Sequence, residues 1–229
     1  MTTRYRTRRL LSVLIAMLVI TFTLVSNPQL YQQVTPTPLT PNVNSSPALD
    51  ALAELPVKGR APKTGYSRDQ FGGGWTTQQG CDTRNIILHR DLQEPAVSED
   101  CKVLSGSLHD PYTGNTLAFQ RGVDTSQLIQ IDHVVALSDA WQTGAQQLTP
   151  LVRESFANDP LNLLAVDGKT NQNKSDGDAA TWLPPNKAFR CQYVARQVAV
   201  KKKYTLWVTT AEKKAIIQVL SSCPAQTIP

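Results

Sequence analysis

Asp132 and His133 place a carboxylate beside an imidazole near the end of a short apolar run, Ile129-Gln-Ile-Asp-His-Val-Val-Ala-Leu. That pattern predicts a strand. Farther along, Pro160-Leu-Asn-Leu-Leu-Ala-Val-Asp-Gly-Lys-Thr-Asn-Gln-Asn-Lys carries Asn162 on a second apolar strand, a turn at Asp167-Gly168, and then Asn171 and Lys174 at the start of a helix. Strand, strand, helix is the expected order. Phosphodiester hydrolysis needs a base to deprotonate water and a cation to neutralise charge growing on the phosphate and the leaving oxygen. His133 suits the first task because imidazole titrates near neutrality. Asp132 points to the other side of the strand and suits the second as a hard oxygen ligand. One carboxylate, one amide oxygen and several waters match Mg²⁺ better than a soft-ligand metal, with Mn²⁺ or Zn²⁺ as alternatives.

The elements around this stretch follow from local signals. Asp82 is a fitting N-cap for a helix over 83–92, with Ile86, Ile87 and the stem of Arg90 on one face. His89 in that helix reads as structural. Residues 101–108 and 116–119 read as a β-hairpin across a Pro/Gly turn, with His109 exposed there. Gly72-Gly73-Gly74-Trp75 lacks both the P-loop Lys-Ser/Thr and the GxGxxG spacing, and is expected to be a flexible turn. Residues 138–158 predict two short helices, around Trp141 and around Arg153, that close over the site or pack behind it. Asn186 can cap a helix to about Lys203, in which Cys191, Val194, Ala195 and Val198 share an inward face. Thr209 and Glu212 form a capping box for a last helix to about Ser222.

The first 26 residues read as an export signal. Arg4, Arg6, Arg8 and Arg9 precede an uncharged run from Leu10 to Ser26, whose 17 residues leave both a cleaved signal and an uncleaved membrane anchor open. Either way the remainder faces outward, secreted or held on the outer face of the membrane. Residues 27–63, rich in Pro, Thr and Ser, are expected to form a disordered linker with a short helix near 47–55, and the folded domain is expected over 64–229.

Without those four arginines the chain carries 19 basic and 18 acidic residues, so overall charge says little about partners. Its distribution says more. Residues 27–168 hold 9 basic and 15 acidic side chains, whereas 169–229 hold 10 and 3. That polarity suits a polyanion across the C-terminal third, with Lys174 near the reacting phosphate and Lys201, Lys202 and Lys203 on flanking backbone. A solvated helix face is the competing reading. The four cysteines of an exported chain imply two disulfides. Cys81–Cys101 and Cys191–Cys223 are favoured because each pair brackets one local unit. Cysteine-bound zinc is disfavoured, since no Cys-x-x-Cys pair occurs.

Taken together, Asp132-His133, Asn162-Leu163, Asn171 and Lys174 resemble the His-Asn-His (HNH, ββα-metal) endonucleases. The resemblance implies a metal-ligating Asp132, a general base in His133, a loop-bracing Asn162 and a second ligand in Asn171. Asn stands at 171 where many members have His, and paired Cys-x-x-Cys knuckles are missing. Gly80-Cys-Asp-Thr-Arg-Asn, Pro111-Tyr-Thr-Gly and Asp178-Ala-Ala-Thr-Trp-Leu-Pro-Pro-Asn are similar to segments of the exported branch, so the likeness covers about residues 65–223. The expected fold is therefore α+β: a ββα-metal core with flanking helices and a hairpin. The expected activity is metal-dependent cleavage of DNA or RNA. The alternative is an inactive extracellular module that binds nucleic acid or a cell-surface polymer. No protein partner is inferable, and no recognition module points to sequence preference.

Overall fold

The computed structural model describes residues 46–123 and 125–229; the signal or anchor reading of 1–26 and most of the linker lie outside them. Helices and small sheets alternate. The helices are α1 (Pro47–Glu54), α2 (Thr83–Asp91), α3 (Leu137–Gln142), α4 (Pro150–Ala157), α5 (Gly168–Lys174), α6 (Arg190–Lys203) and α7 (Thr210–Leu220). The strands are β1 (Thr77–Gln78), β2 (Cys81–Asp82), β3 (Leu92–Val97), β4 (Val103–His109), β5 (Thr116–Gln120), β6 (Ile129–His133) and β7 (Leu163–Asp167). Sheets β1-β2, β3-β4-β5 and β6-β7 are all antiparallel, and the fold is mixed α and β. Among the described residues no helix is long and apolar enough to cross a membrane.

The β6-β7 pair lies at the centre because both its faces are covered. Ile129, Ile131, Leu163 and Ala165 join Ile87, Leu88 and Phe119 in one core, while Leu164 and Val166 join Val194, Val198 and Ile216 in another. Burial on both faces explains why these strands read as nearly continuous apolar runs. Asp132 pairs with Leu164 and His133 with Leu163 in the ladder. At its end the Asp167 carboxylate caps α5, accepting from the Thr170 amide at 2.7 Å. Only glycine fits next, since a Cβ at Gly168 would lie 2.2 Å from the Gln127 carbonyl oxygen. Thus the chain turns directly from β7 into α5.

Several expectations change here. The folded unit begins well before Thr64. Ser46 caps α1 by accepting from the Leu49 amide at 3.2 Å, Ala48, Ala51, Leu52 and Leu55 are core residues, and Val57 bridges to Val208. Pro56, Gly59 and Pro62 mark irregular backbone, which differs from disorder once apolar neighbours are buried. The hairpin has a third strand, β3, an edge strand carrying Pro95 and a register shift between Gln93 and Ala96. Edges and bulges are where strands tolerate proline. On α2 the buried residues are Thr83, Asn85, Ile87 and Leu88, while Ile86 is half-buried and His89 exposed. Asn186 caps a short 3₁₀ turn, Lys187–Phe189, that leads into α6. Cys191 in the first turn of α6 is only half-buried, whereas Val194, Ala195 and Val198 are enclosed. Disulfides join Cys81 to Cys101 and Cys191 to Cys223.

Candidate active site

His133 ends β6 at 8% exposure, where its ring has little freedom. Its Nε2 lies 2.8 Å from the carbonyl oxygen of Ala157, at the end of α4. A carbonyl only accepts, so Nε2 carries the proton and Nδ1 keeps a lone pair. Trp75 stacks on the ring with centroids 5.7 Å apart and planes inclined by 13°. Burial chiefly, with Arg68 and Lys174 adding positive charge nearby, pushes the imidazole down to about 4, against the opposing bond to Ala157. At pH 7 His133 is therefore neutral and basic at Nδ1.

Asp132 is also buried, and each of its oxygens has a partner. Oδ1 is 2.9 Å from Lys174 Nζ, and Oδ2 accepts a short hydrogen bond from the Tyr112 hydroxyl. Lys174 also donates to the His133 carbonyl at 2.8 Å. Burial raises the Asp132 carboxyl, with Lys174 and then Tyr112 acting against that rise. Tyr112 stays a donor, because burial and the Asp132 charge lift its phenol well above its ordinary value. Asp110 fixes this tyrosine's turn by accepting from the Thr113 amide at 2.9 Å and the Asp167 amide at 3.1 Å. The hairpin turn is thereby tied to the end of β7.

Asn162 is fully enclosed and braces the chain after β6. Its Oδ1 accepts from the Val135 amide at 2.9 Å, and its Nδ2 donates to the Val135 carbonyl at 3.3 Å. Asn171 is half-buried and donates through Nδ2 to Gln130 Oε1 at 2.9 Å. A cavity of about 520 Å³ brings His133, Asp132, Asn171 and Gln130 together with Lys63, Arg68, Arg84 and Asp176. Asp176 lies below the usual carboxylate range, held there by the Ser138 hydroxyl and then by Lys63. The helices of 138–158 pack behind the site and supply the Ala157 carbonyl. The first turn of α3 also lines the cavity, through Leu137 and Ser138.

The lysine readings are corrected. Lys174 is buried against Asp132 and cannot reach a phosphate without breaking that pair. Lys201 is fully buried, with Nζ 3.1 Å from Asp139 and 2.7 Å from Glu212. Lys202 and Lys203 are partly exposed but paired, to Glu54 at 2.8 Å and Asp159 at 2.6 Å. None of the three at 201–203 lines the His133 cavity. Sequence reasoning also missed Tyr112, Trp75, Arg68 and Arg84. Tyr112 had a signal in the Pro111-Tyr-Thr-Gly segment; Trp75 lay in a stretch read as a mere turn.

A divalent ion fits the donor set in one way. Among the described residues no group of three or more His, Cys, Asp or Glu could hold a metal, so a closed zinc site of four such ligands is not built here. The Asp132 carboxylate and the Asn171 amide oxygen are hard donors on one open cavity, which suits an ion that keeps most of its waters. Each carboxylate oxygen has two lone pairs, so ligation does not require loss of Lys174 or Tyr112.

Residues 82–219 match the family described as GmrSD restriction endonucleases, C-terminal domain. The chain belongs to that family, which is HNH-like and nuclease-related. It is also 41% identical over 191 residues to a protein of Arthroderma benhamiae described as an uncharacterized secreted protein, covering 82% of this chain and 91% of that one. No solved structure matches the chain.

Proposed function

We propose that this protein is an exported endonuclease that hydrolyses nucleic-acid phosphodiester bonds with His133 as general base and a divalent cation, Mg²⁺ by its donor chemistry, held by Asp132 and Asn171. The observation that carries the reading is the locked imidazole: Nε2 is fixed on Ala157, which leaves a neutral Nδ1 to face water in a cavity lined by cations. Water gives its proton to Nδ1, its oxygen bonds to phosphorus, and the bond from phosphorus to the leaving oxygen breaks. The cation, when bound, supplies charge neutralisation at the scissile phosphate and the leaving oxygen. Lys174 and Tyr112 hold the Asp132 carboxylate in one orientation, and Asn162 holds the backbone after His133. Arg68 makes no hydrogen bond or ion pair among the described residues and is free to bind phosphate. Arg84, bonded to the Ser126 and Ile129 carbonyls at 3.1 Å, is held rigidly on the same cavity.

Plasmid DNA and a structured RNA, incubated with the protein and Mg²⁺ with and without excess chelator, test the reading. Cleavage abolished by chelator is the expected result, and His133→Ala should lower turnover by about 10²-fold or more while binding persists. Cleavage at the parent rate by His133→Ala would remove the assignment.

A further inference from the structure

A second hollow of about 320 Å³ opens from the first, and Arg68, Trp75, His133 and Leu137 line both. Its remaining walls are Asp69, Phe71, the three glycines 72–74 and Ala157. We propose that this second cleft is a nucleobase subsite, which receives an unpaired base next to the phosphate at His133 and prefers bases that carry an amino group. The proposal rests on the nuclease reading and names the substrate class as single-stranded nucleic acid.

Four features point to a base. The volume is near the lower end of small-molecule sites and suits one flat heterocycle. The lining sets the Trp75 indole, stacked on His133, beside glycines that have no side chains, over a floor made by the buried Phe71 ring, so a planar ring has room against the indole; stacking of this kind tolerates any base. The Gly73 and Gly74 amides make no hydrogen bond among the described residues, and the Asp69 carboxylate likewise has no side-chain partner there. An unpartnered carboxylate accepts from an exocyclic amino group, which adenine, cytosine and guanine carry and thymine and uracil lack. Finally, Arg68 stands where the two hollows join, without a protein partner, so a phosphate held there places the attached base within reach of the cleft. A duplex would have to extrude that base, at a cost of a few kcal/mol, whereas a single strand need not.

Gly73 provides the test. A Cβ there meets nothing within 4 Å and its backbone is not in the left-handed region, so Gly73→Leu adds a bulky side chain on the wall of the cleft without straining the fold. Gly74, with φ of 124°, would not serve. Fluorescein-labelled d(A)12, d(T)12 and a 12-base-pair duplex are titrated by anisotropy against the full chain, Gly73→Leu and Asp69→Ala in excess chelator. Gly73→Leu should weaken d(A)12 binding about tenfold, the worth of one stacked base, and leave the duplex unchanged. The parent should prefer d(A)12 to d(T)12 several-fold, and Asp69→Ala, which removes the acceptor, should erase that preference. Equal affinity of parent and Gly73→Leu for d(A)12, or an equal loss on the duplex, overturns the subsite. Because binding is read without turnover, failure of cleavage by the parent bears on the proposed function and leaves this outcome independent.

Discussion

Lys201→Met removes the cation at the centre of a buried cluster, and its effect separates a structural lysine from a DNA-binding one. Lys201 lies 3.1 Å from Asp139 and 2.7 Å from Glu212, and Arg60 joins at 3.0 Å from Asp139 and 2.8 Å from Asp178. Two cations thus face three carboxylates. Burial first, with the neighbouring Asp139 charge, lifts Glu212 to about 7 despite Lys201. Deleting the ammonium leaves Asp139 and Glu212 enclosed without their shared partner, a loss of about 3–5 kcal/mol. Proton uptake by Glu212 recovers part of it. Since the folded-state pKa of Glu212 is above its ordinary 4.5, the folded protein binds more protons, and this contribution is full below 4.5 and lost as pH rises through about 7. Without Lys201 that folded pKa rises further and the window extends above 7, with a slope of at most about 1.4 kcal/mol per pH unit. Urea denaturation should therefore show a larger deficit at pH 8 than at pH 6, with nucleic-acid affinity of the folded variant unchanged. A variant as stable as its parent at pH 8, but with a flattened salt dependence of binding, would refute the enclosed cluster and restore the solvent-facing reading.

His133, neutral down to about 4, should give kcat/KM an acid limb near that value, because protonation of Nδ1 removes the base; a limb at 6.5 in the pH–rate profile would contradict its burial. Tyr112→Phe deletes one donor to Asp132 and should cost about 1.5–3 kcal/mol of stability by thermal or urea melts, with turnover reduced and binding kept. Lys174→Met should be harsher, about 3–5 kcal/mol, since it strands a carboxylate at 5% exposure. Replacing Cys81 and Cys101 by Ser should cost about 2–5 kcal/mol, and non-reduced peptide mapping of the parent should recover that pair joined.

What the sequence made legible was the centre. Alternation and apolar content located β6 and β7, Asp167-Gly168 located the turn into α5, and the Thr209/Glu212 box located α7. What it hid was the use of charge. Lysines are rarely enclosed, so Lys174 and Lys201 read as surface cations. Helix spacing held a contrary signal for one of them: Lys201 follows Val194 by seven positions and Val198 by three, which places it on the buried face of α6. For Lys174 the partner is Asp132, 42 residues away, and no local pattern announces it. The role of the 47–63 segment was hidden for a related reason, since prolines and glycines describe the backbone path and say nothing of which core Leu52 enters.

Pairing also changes where, on the proposed reading, a substrate's charge would be met. Lys174, Lys201, Lys202 and Lys203 face Asp132, Asp139 with Glu212, Glu54 and Asp159, so four of the ten basic residues of 169–229 are paired with acidic residues that, Glu212 apart, lie earlier in the chain. Cations on the His133 cavity come instead from Lys63, Arg68 and Arg84. Lys63 and Arg68, together with Trp75 against the imidazole, precede the family-matched residues 82–219. On the proposed reading, base and candidate ligands sit on the β6-β7-α5 unit, while the groups that would meet a substrate's phosphates and bases are contributed largely by the segment before it. Because Trp75 stacks on His133 and Arg68 adds positive charge beside it, variation in that preceding segment is expected to change both which nucleic acid is bound and the titration of the proposed base.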